Sequence, residues 1–482
     1  MVNLSLSKHT KHLFTSILLL FFLGFSPKAF AQKNHYVIID SIQISGNKHS
    51  EAFIIERELL LIKDSVYESN DLEELSQGSE YQLMNTNLFI TIKVTCTEVK
   101  PQHVIVNVVV QEKWYKWLIP VFELADRNYK EWESHDYDID RTNYGAHLNI
   151  YNFRGRRETV RLTFINGYTR HYALQYIAPF LEKSGKYGLE LSSSFKQQKE
   201  IWYLTRDNKL QFYQNFEKTL ISQFDNSLAF TTRRNNFTFE KWMVEYNTVH
   251  VSDTIQSKGL NPGYLLEGDL QKELFVKHIL IHERRDNKYY PLKGFYVKNE
   301  LQLGNIYGDT TNSELLRETI EGGIYRNIYK KLYLSGFFKF YYSNQPKPQI
   351  PYYNFKAFGY DNYVRGYEQY VIDGHGFALA KVNLKYALVH QYMLKTPLRL
   401  NKQKVKLPVG IYLNVYSDWG KVFNEQWSKP NNIYNNTLIN TDLIGYGSGI
   451  DVLFLNDKIL RFEYSLNILG DKNFNLGLQK SF

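Results

Sequence analysis

The sequence predicts an all-β transmembrane barrel of about sixteen antiparallel strands, preceded by one small α+β domain of order β-α-α-β-β. Three observations carry this reading. Residues 1–31 have the layout of an export leader, repeated strand-length segments with alternating faces fill the chain after Trp114, and the last such segment ends on Phe482.

The leader comes first. Lys8 and Lys11 precede an apolar run from Leu13 to Phe25, and Pro27 leads into Ala29-Phe30-Ala31. A cationic start, an apolar stretch too short to span a bilayer and an A-x-A site make a cleaved signal rather than a membrane anchor. Gln32, not cysteine, follows the cleavage point, so a lipoprotein cysteine is not expected.

No later stretch offers the roughly twenty apolar residues of a spanning helix. The mean hydropathy of −0.41 hides a barrel well, because lipid-facing and lumen-facing residues alternate and cancel in any average. Aromatic residues make up 16% of the chain, which suits the girdles of such a barrel. Cys96 is the single cysteine, so it makes no internal disulfide and reads as a small buried strand residue. The formal charge of +9 loses Lys8, Lys11 and Lys28 with the leader, leaving +6. So small an excess does not argue for nucleic acid; a basic lumen or anionic lipid head groups account for it.

Residues 36–113 form the small domain. Val37-Ile38-Ile39 and Ile42-Gln43-Ile44 read as an extended segment ended by a turn at Gly46-Asn47. Ser50 is placed to cap a helix with apolar Phe53, Ile54, Leu59 and Leu60, and a second helix runs past Leu72, Leu75 and Leu83. Two alternating strands, Leu88 to Thr95 and Val104 to Val110, complete it.

From 114 to 482 the chain reads as strands near 114–124, 142–152, 157–166, 170–180, 186–204, 216–232, 237–251 and 274–286. Eight more fall near 294–304, 315–325, 331–342, 377–389, 408–421, 444–455, 459–467 and 473–482. Asn208 to Tyr213 is read as loop, since bacterial single-chain barrels have even strand numbers. Parity is consistent with a barrel in lipid. Ile411, Leu413, Val415 and Trp419 share one face, opposite Tyr412, Asn414, Tyr416 and Asp418. Likewise Leu460, Phe462, Tyr464 and Leu466 oppose Arg461, Glu463, Ser465 and Asn467, and Gly445, Gly447 and Gly449 fall on the lumen side. A sandwich shows the same alternation, so the leader, the aromatic load and the last strand decide between them.

Several motifs carry a family resemblance. Ile44-Ser45-Gly46-Asn47 and Asn87-Leu88-Phe89 make the small domain similar to a POTRA domain. A long loop, 343–376, holds Val364-Arg365-Gly366-Tyr367-Glu368, and Tyr416-Ser417-Asp418-Trp419-Gly420 stands two strands on. These resemble the V-R-G-F/Y and F-x-D-x-G motifs of the BamA/TamA superfamily, also known as the bacterial surface antigen family. Arg285-Asp286 with Pro291 to Gly294, and Asn152 to Gly155, resemble its strand-turn-strand elements. Phe474, Leu476, Gly477, Leu478 and Phe482 resemble the C-terminal assembly signal of outer-membrane barrels, with Lys480 departing from it.

The resemblance implies that the loop folds into the barrel and that Arg365 meets an acid on the inner wall. Read alone, Arg365 is an ordinary solvated loop residue. Asp418, inward by parity, makes it a buried partner with two-point geometry. The family's second acid, on the strand after the loop, is replaced by Asn383, and Glu368 is the candidate to compensate. Location in the outer membrane follows, with the small domain in the periplasm. The implied function is insertion of barrel clients or export of a partner protein, through a lateral seam or the lumen. Implied partners are outer-membrane lipid, unfolded barrel or secreted clients, and periplasmic chaperones or accessory subunits; one POTRA-like domain suggests a specialised member. A passive porin or nutrient channel is the rival, but it leaves Arg365 and the small domain unexplained.

No enzyme site is legible. A G-x-S-x-G elbow is absent, His282-Glu283 lacks a second histidine four residues on, and the spacing of Gly445, Gly447 and Gly449 is not that of a nucleotide loop. Neither a cofactor nor a bound metal is expected.

Overall fold

A period of two in polarity makes a strand with two unlike faces, and the computed structural model shows sixteen such strands joined in one antiparallel sheet. It describes residues 35–124, 136–137, 139–215, 217–344, 350–400, 403–424 and 434–480. The segment expected as a leader, Phe482 and the central part of the 424–434 connection lie outside the described residues.

The N-terminal domain contains β1 (Tyr36–Ser45), α1 (Ala52–Glu56), β2 (Val66–Glu68), α2 (Leu72–Asn85), β3 (Phe89–Lys100) and β4 (His103–Glu112). Its sheet has the order β2-β1-β4-β3, with β1 and β4 parallel. Ile39, Ile54, Ile55, Leu83, Phe89 and Val106 form the core between sheet and helices. Four expectations change here. β2 is an additional short strand, held by three pairs to β1. Helix α1 spans only five residues, so Leu59 and Leu60 lie beyond it. Ser50 does not cap it: the N-cap is Glu51 without a side-chain bond, because the Ser50 hydroxyl donates instead to Glu112 Oε1 at 2.6 Å. Cys96 is only partly buried, since its strand face is covered by Ser76 of α2, 3.4 Å away, at the margin of the core.

The barrel strands are β5 (Lys116–Leu124), β6 (Thr142–Phe153), β7 (Glu158–Gly167), β8 (Thr169–Ala178) and β9 (Tyr187–Gln198), followed after an excursion by eleven more. That excursion corrects the single strand expected over 186–204. The chain leaves the barrel at Lys199 and makes a separate hairpin, β10 (Glu200–Arg206) with β11 (Lys209–Gln214). The segment expected as loop is therefore a strand. Asp207 and Asn208, both at positive φ (53° and 56°), form the two-residue turn whose twist suits a hairpin. The remaining strands are β12 (Ile221–Arg233), β13 (Thr238–Val251), β14 (Leu270–Glu283), β15 (Gly294–Tyr307), β16 (Asn312–Tyr329) and β17 (Leu332–Ser343). Then come β18 (Gly376–Leu400), β19 (Gln403–Phe423), β20 (Leu443–Phe454), β21 (Lys458–Asn467) and β22 (Lys472–Lys480).

Each strand pairs with its neighbours from β5 to β22, and no described ladder joins those two ends. Outward residues are apolar and exposed, such as Leu413, Val415, Val382 and Phe474, while their inward neighbours Tyr412, Asn414, Tyr416 and Lys385 are buried. No helix among the described residues is long and apolar enough to cross a membrane.

The N-terminal domain packs on the short turns at one end of the barrel. Glu58 is the centre of that joint, accepting from Arg233 Nη1 and Nη2 at 2.9 and 2.7 Å, with Arg157 3.4 Å away. Burial pushes the Glu58 carboxyl up, but Arg233 and Arg157 outweigh it and hold the group below the usual range. Asn236 Nδ2 reaches Leu59 O, Asn85 Nδ2 reaches Arg285 O, and Asn456 Nδ2 reaches Ile90 O. Lys113 sits 3.3 Å from Asp457, and burial pushes its ammonium down to about 8.

Candidate functional site

The connection between β17 and β18 enters the barrel from the end opposite the N-terminal domain. Its apolar residues Ala357, Phe358, Val364, Tyr367 and Ile372 pack with Phe377, Leu379 and Val422 of the inner wall. Phe358 bridges to both Asn362 and Ile372, so the loop doubles back on itself. Burial of this side chain set brings Arg365 to the wall and leaves it 5% exposed.

Arg365 makes a two-point contact with Asp418 of β19. Nε donates to Oδ2 at 2.8 Å and Nη2 to Oδ1 at 2.5 Å, while the Arg365 backbone N–H also donates to Oδ2 at 3.2 Å. Nη2 donates further to Asn383 Oδ1 of β18 at 2.8 Å, and Nη1 to Glu463 Oε1 of β21 at 3.3 Å. The guanidinium carbon lies 3.6 Å from the centre of the Tyr416 ring. A planar fork with five donors suits this convergence; a lysine ammonium has no such geometry.

Glycines on the wall make room for the loop. A Cβ on Gly420 would lie 2.5 Å from Val364 Cγ2 and 2.7 Å from Phe358 Cε2. One on Gly445 would meet the Arg365 carbonyl oxygen at 1.7 Å, so the loop backbone occupies the space a side chain would fill. Gly366 itself has φ of 92°, in the left-handed region.

Two site expectations need correction. Glu368 does not touch Arg365; it turns back to accept the Gly366 N–H at 3.0 Å. The second carboxylate is Glu463, which parity places inward but which nothing local connects to Arg365, 98 residues away. Glu463 continues into Arg461 (3.8 Å), Arg461 into Asp451 (2.8 Å), and Asp451 accepts from Tyr290 OH at 2.8 Å. Phe474, Leu476 and Leu478 point outward and are exposed, and Gly477 has open space around it.

Hairpin β10–β11 lies over the loop. Val371 N–H donates to Asn208 O at 2.8 Å, Leu438 N–H to Asn208 Oδ1 at 3.1 Å, and Thr205 Oγ1 lies 2.8 Å from Tyr352 OH. Among the described residues no group of three or more His, Cys, Asp or Glu is placed to hold a metal ion.

Comparison with known proteins agrees with this architecture. Residues 152–478 match the Omp85 superfamily domain, and residues 37–113 match the POTRA family described as the surface antigen variable number repeat. The fold is similar to BamA from Haemophilus ducreyi lacking POTRA domains 1–3, at 13% identity and a TM-score of 0.50 over 92% of this chain and 83% of that one. It is also similar to CdiB from Escherichia coli, at 10% identity and a TM-score of 0.53 over 92% and 74% of the two chains. A search of curated proteins finds no match. The chain belongs to the Omp85 superfamily, as a POTRA-bearing outer-membrane barrel of the protein assembly and translocation class.

Proposed function

We propose that this protein inserts β-barrel clients into the outer membrane through the seam between β5 and β22, after the N-terminal domain has first held the client. One observation carries the reading: the inward loop packs inside the barrel and the N-terminal domain sits on the turns at its other end, whereas the two terminal strands have no described ladder between them. Unpaired N–H and C=O groups on such edges are templates for an incoming strand. β5 contains Pro120, which has no N–H to donate, so closure against it is weakened. Short turns on the N-terminal-domain side and long connections on the other fit a periplasmic domain below an outer-membrane barrel. Periplasmic chaperones or accessory subunits would deliver clients to that domain. Export through the lumen would require both the docked domain and the inward loop to move aside.

Depleting the protein and quantifying outer-membrane and surface proteins tests the proposal. Broad loss of barrel proteins is the expected result. Loss confined to one or two secreted proteins would replace insertion by export, and unchanged levels of both would refute both. A large, steady conductance in planar bilayers would instead favour a passive channel.

A further inference from the structure

The loop tip also grips a strand that Arg365 does not touch. After Arg365 the chain turns, and the Gly366 carbonyl accepts from Asn467 Nδ2 at 2.7 Å and from Asn473 Nδ2 at 2.9 Å. Asn473 belongs to β22, the last strand of the sheet. Its amide also donates to Glu368 Oε2 at 3.2 Å, while both Glu368 oxygens lie 3.0 Å from the Gly366 nitrogen. Two residues on, Tyr370 OH donates to Asp471 Oδ2 at 2.8 Å, and Asn467 Nδ2 donates to that same oxygen at 2.9 Å. The only described ladder partner of β22 is β21. The loop is therefore a second set of polar partners for that strand.

We infer that Glu368 and Asn473 are positioning residues that latch the loop tip to β22, so that loop docking and the position of the terminal strand are set together. The physical case is one of shared donors and acceptors. The Asn473 amide serves a backbone carbonyl and a carboxylate of the loop at once, and that carboxylate also orders the turn at Gly366. If β22 moves off the wall, the loop loses a donor at Gly366 O and at Glu368. If the loop leaves, Asn473 loses both acceptors. Each of these hydrogen bonds favours the docked arrangement, and the Asn473 bonds exist only while loop and strand are both in place, so each element stabilises the other. The consequence for function rests on the seam reading above: a seam that opens by moving β22 must first release, or carry with it, the loop that holds Arg365.

Hydrogen exchange of the full-length protein in lipid vesicles, read by mass spectrometry for peptides covering β22, tests the latch. Asn473→Ala and Glu368→Ala should each speed exchange in β22 about fivefold, with the double variant no faster than either single one. Exchange in β14 and β15 should stay as in the parent protein. Asn473→Asp sets two carboxylates face to face and should loosen β22 further. Adding Glu368→Gln restores a donor–acceptor pair and should bring protection back, which a merely structural loss would not do. Unchanged β22 exchange in the single variants, additive effects, or a rise spread equally over β14 would overturn the latch. The depletion experiment reads separately: latch-dependent exchange with normal client levels removes the insertion reading alone, and lost clients with latch-independent exchange remove the latch alone.

Discussion

Replacing Arg365 by alanine should release the inward loop from the wall. The variant removes a two-point pair with Asp418 and one contact each with Glu463 and Asn383. Deleting one member of a buried ion pair costs about 3–5 kcal/mol, because the partner charge stays in a poor solvent. Two features pull the value down. Lys381 Nζ remains 3.8 Å from Asp418 Oδ2, and Arg461 remains 3.8 Å from Glu463, so neither carboxylate is stranded. A freed loop also lets lumen water reach Asp418. The expected loss is about 3 kcal/mol, with the loop's own docking energy as the ceiling. Arg365→Lys keeps the charge but neither the fork nor the stacking on Tyr416, and should lose about 2 kcal/mol. Urea titration of the vesicle-inserted protein, with protease sensitivity of the loop followed in parallel, measures both. If both variants unfold within about 0.5 kcal/mol of the parent and the loop stays protected, the clamp does not hold the loop.

Other positions give further tests. Glu58→Ala leaves Arg233 and Arg157 converging on an empty centre, with Arg57 3.6 Å from the lost carboxylate. The N-terminal domain should undock with a loss of about 3 kcal/mol, seen as rapid proteolysis of that domain while the barrel stays resistant; equal protease resistance would remove the role. Asp373, in the loop and 7% exposed, is pushed up to about 6 by burial, against an ordinary value of 3.8. The folded state then holds an extra proton between those values, so stability falls as pH rises through that window, by about 3 kcal/mol at most. Asp373→Asn should flatten that dependence and stabilise the loop at neutral pH; an unchanged pH profile would refute it. Asn383→Asp gives Arg365 a charged acceptor in place of a neutral one and should strengthen loop docking by about 1 kcal/mol, measured by the same urea titration; a weaker loop would refute it.

Much of the barrel was legible because a slip of one residue turns every side chain to the wrong face, so parity along a strand is strongly constrained. Asp418 could be placed inward from Tyr412, Asn414 and Tyr416 alone, and all four are buried. Glu463 was equally assignable to the inner face, but its meeting with Arg365 depends on how far the loop tip reaches around the wall. That is a tertiary quantity with no local signal. Hairpin β10–β11 did carry one: Asp207-Asn208 between two alternating runs is hairpin chemistry, outweighed by the even strand number expected of such barrels, which says nothing of a hairpin outside the barrel sheet. The Ser50 cap failed for a different reason. A hydroxyl suited to a helix end had better partners in Glu112 and, through Asn152 Nδ2 at 2.9 Å, in the barrel turn. Local propensity yields to a buried network that only the docked domain creates.

The neutral Asn383 goes with a second anchor placed elsewhere on the inner wall. Arg365, Lys381, Lys385 and Arg461 face Asp418, Glu463 and Asp451 in an enclosed polar lumen, and each carboxylate already has a cation beside it. Asp418 lies between Arg365 and Lys381; Glu463 lies between Arg365 and Arg461. An acid on β18 would have given the loop its second anchor on the strand directly following it, close to the first anchor on β19. With the second anchor on β21, the guanidinium instead ties strands on both sides of β20, and the chain immediately beyond it reaches β22. The loop therefore spans the inner wall from β18 to the terminal strand. Its grip is distributed toward the end of the sheet where the described ladder stops, the edge at which side-chain bonds from the loop supplement the single described ladder of β22.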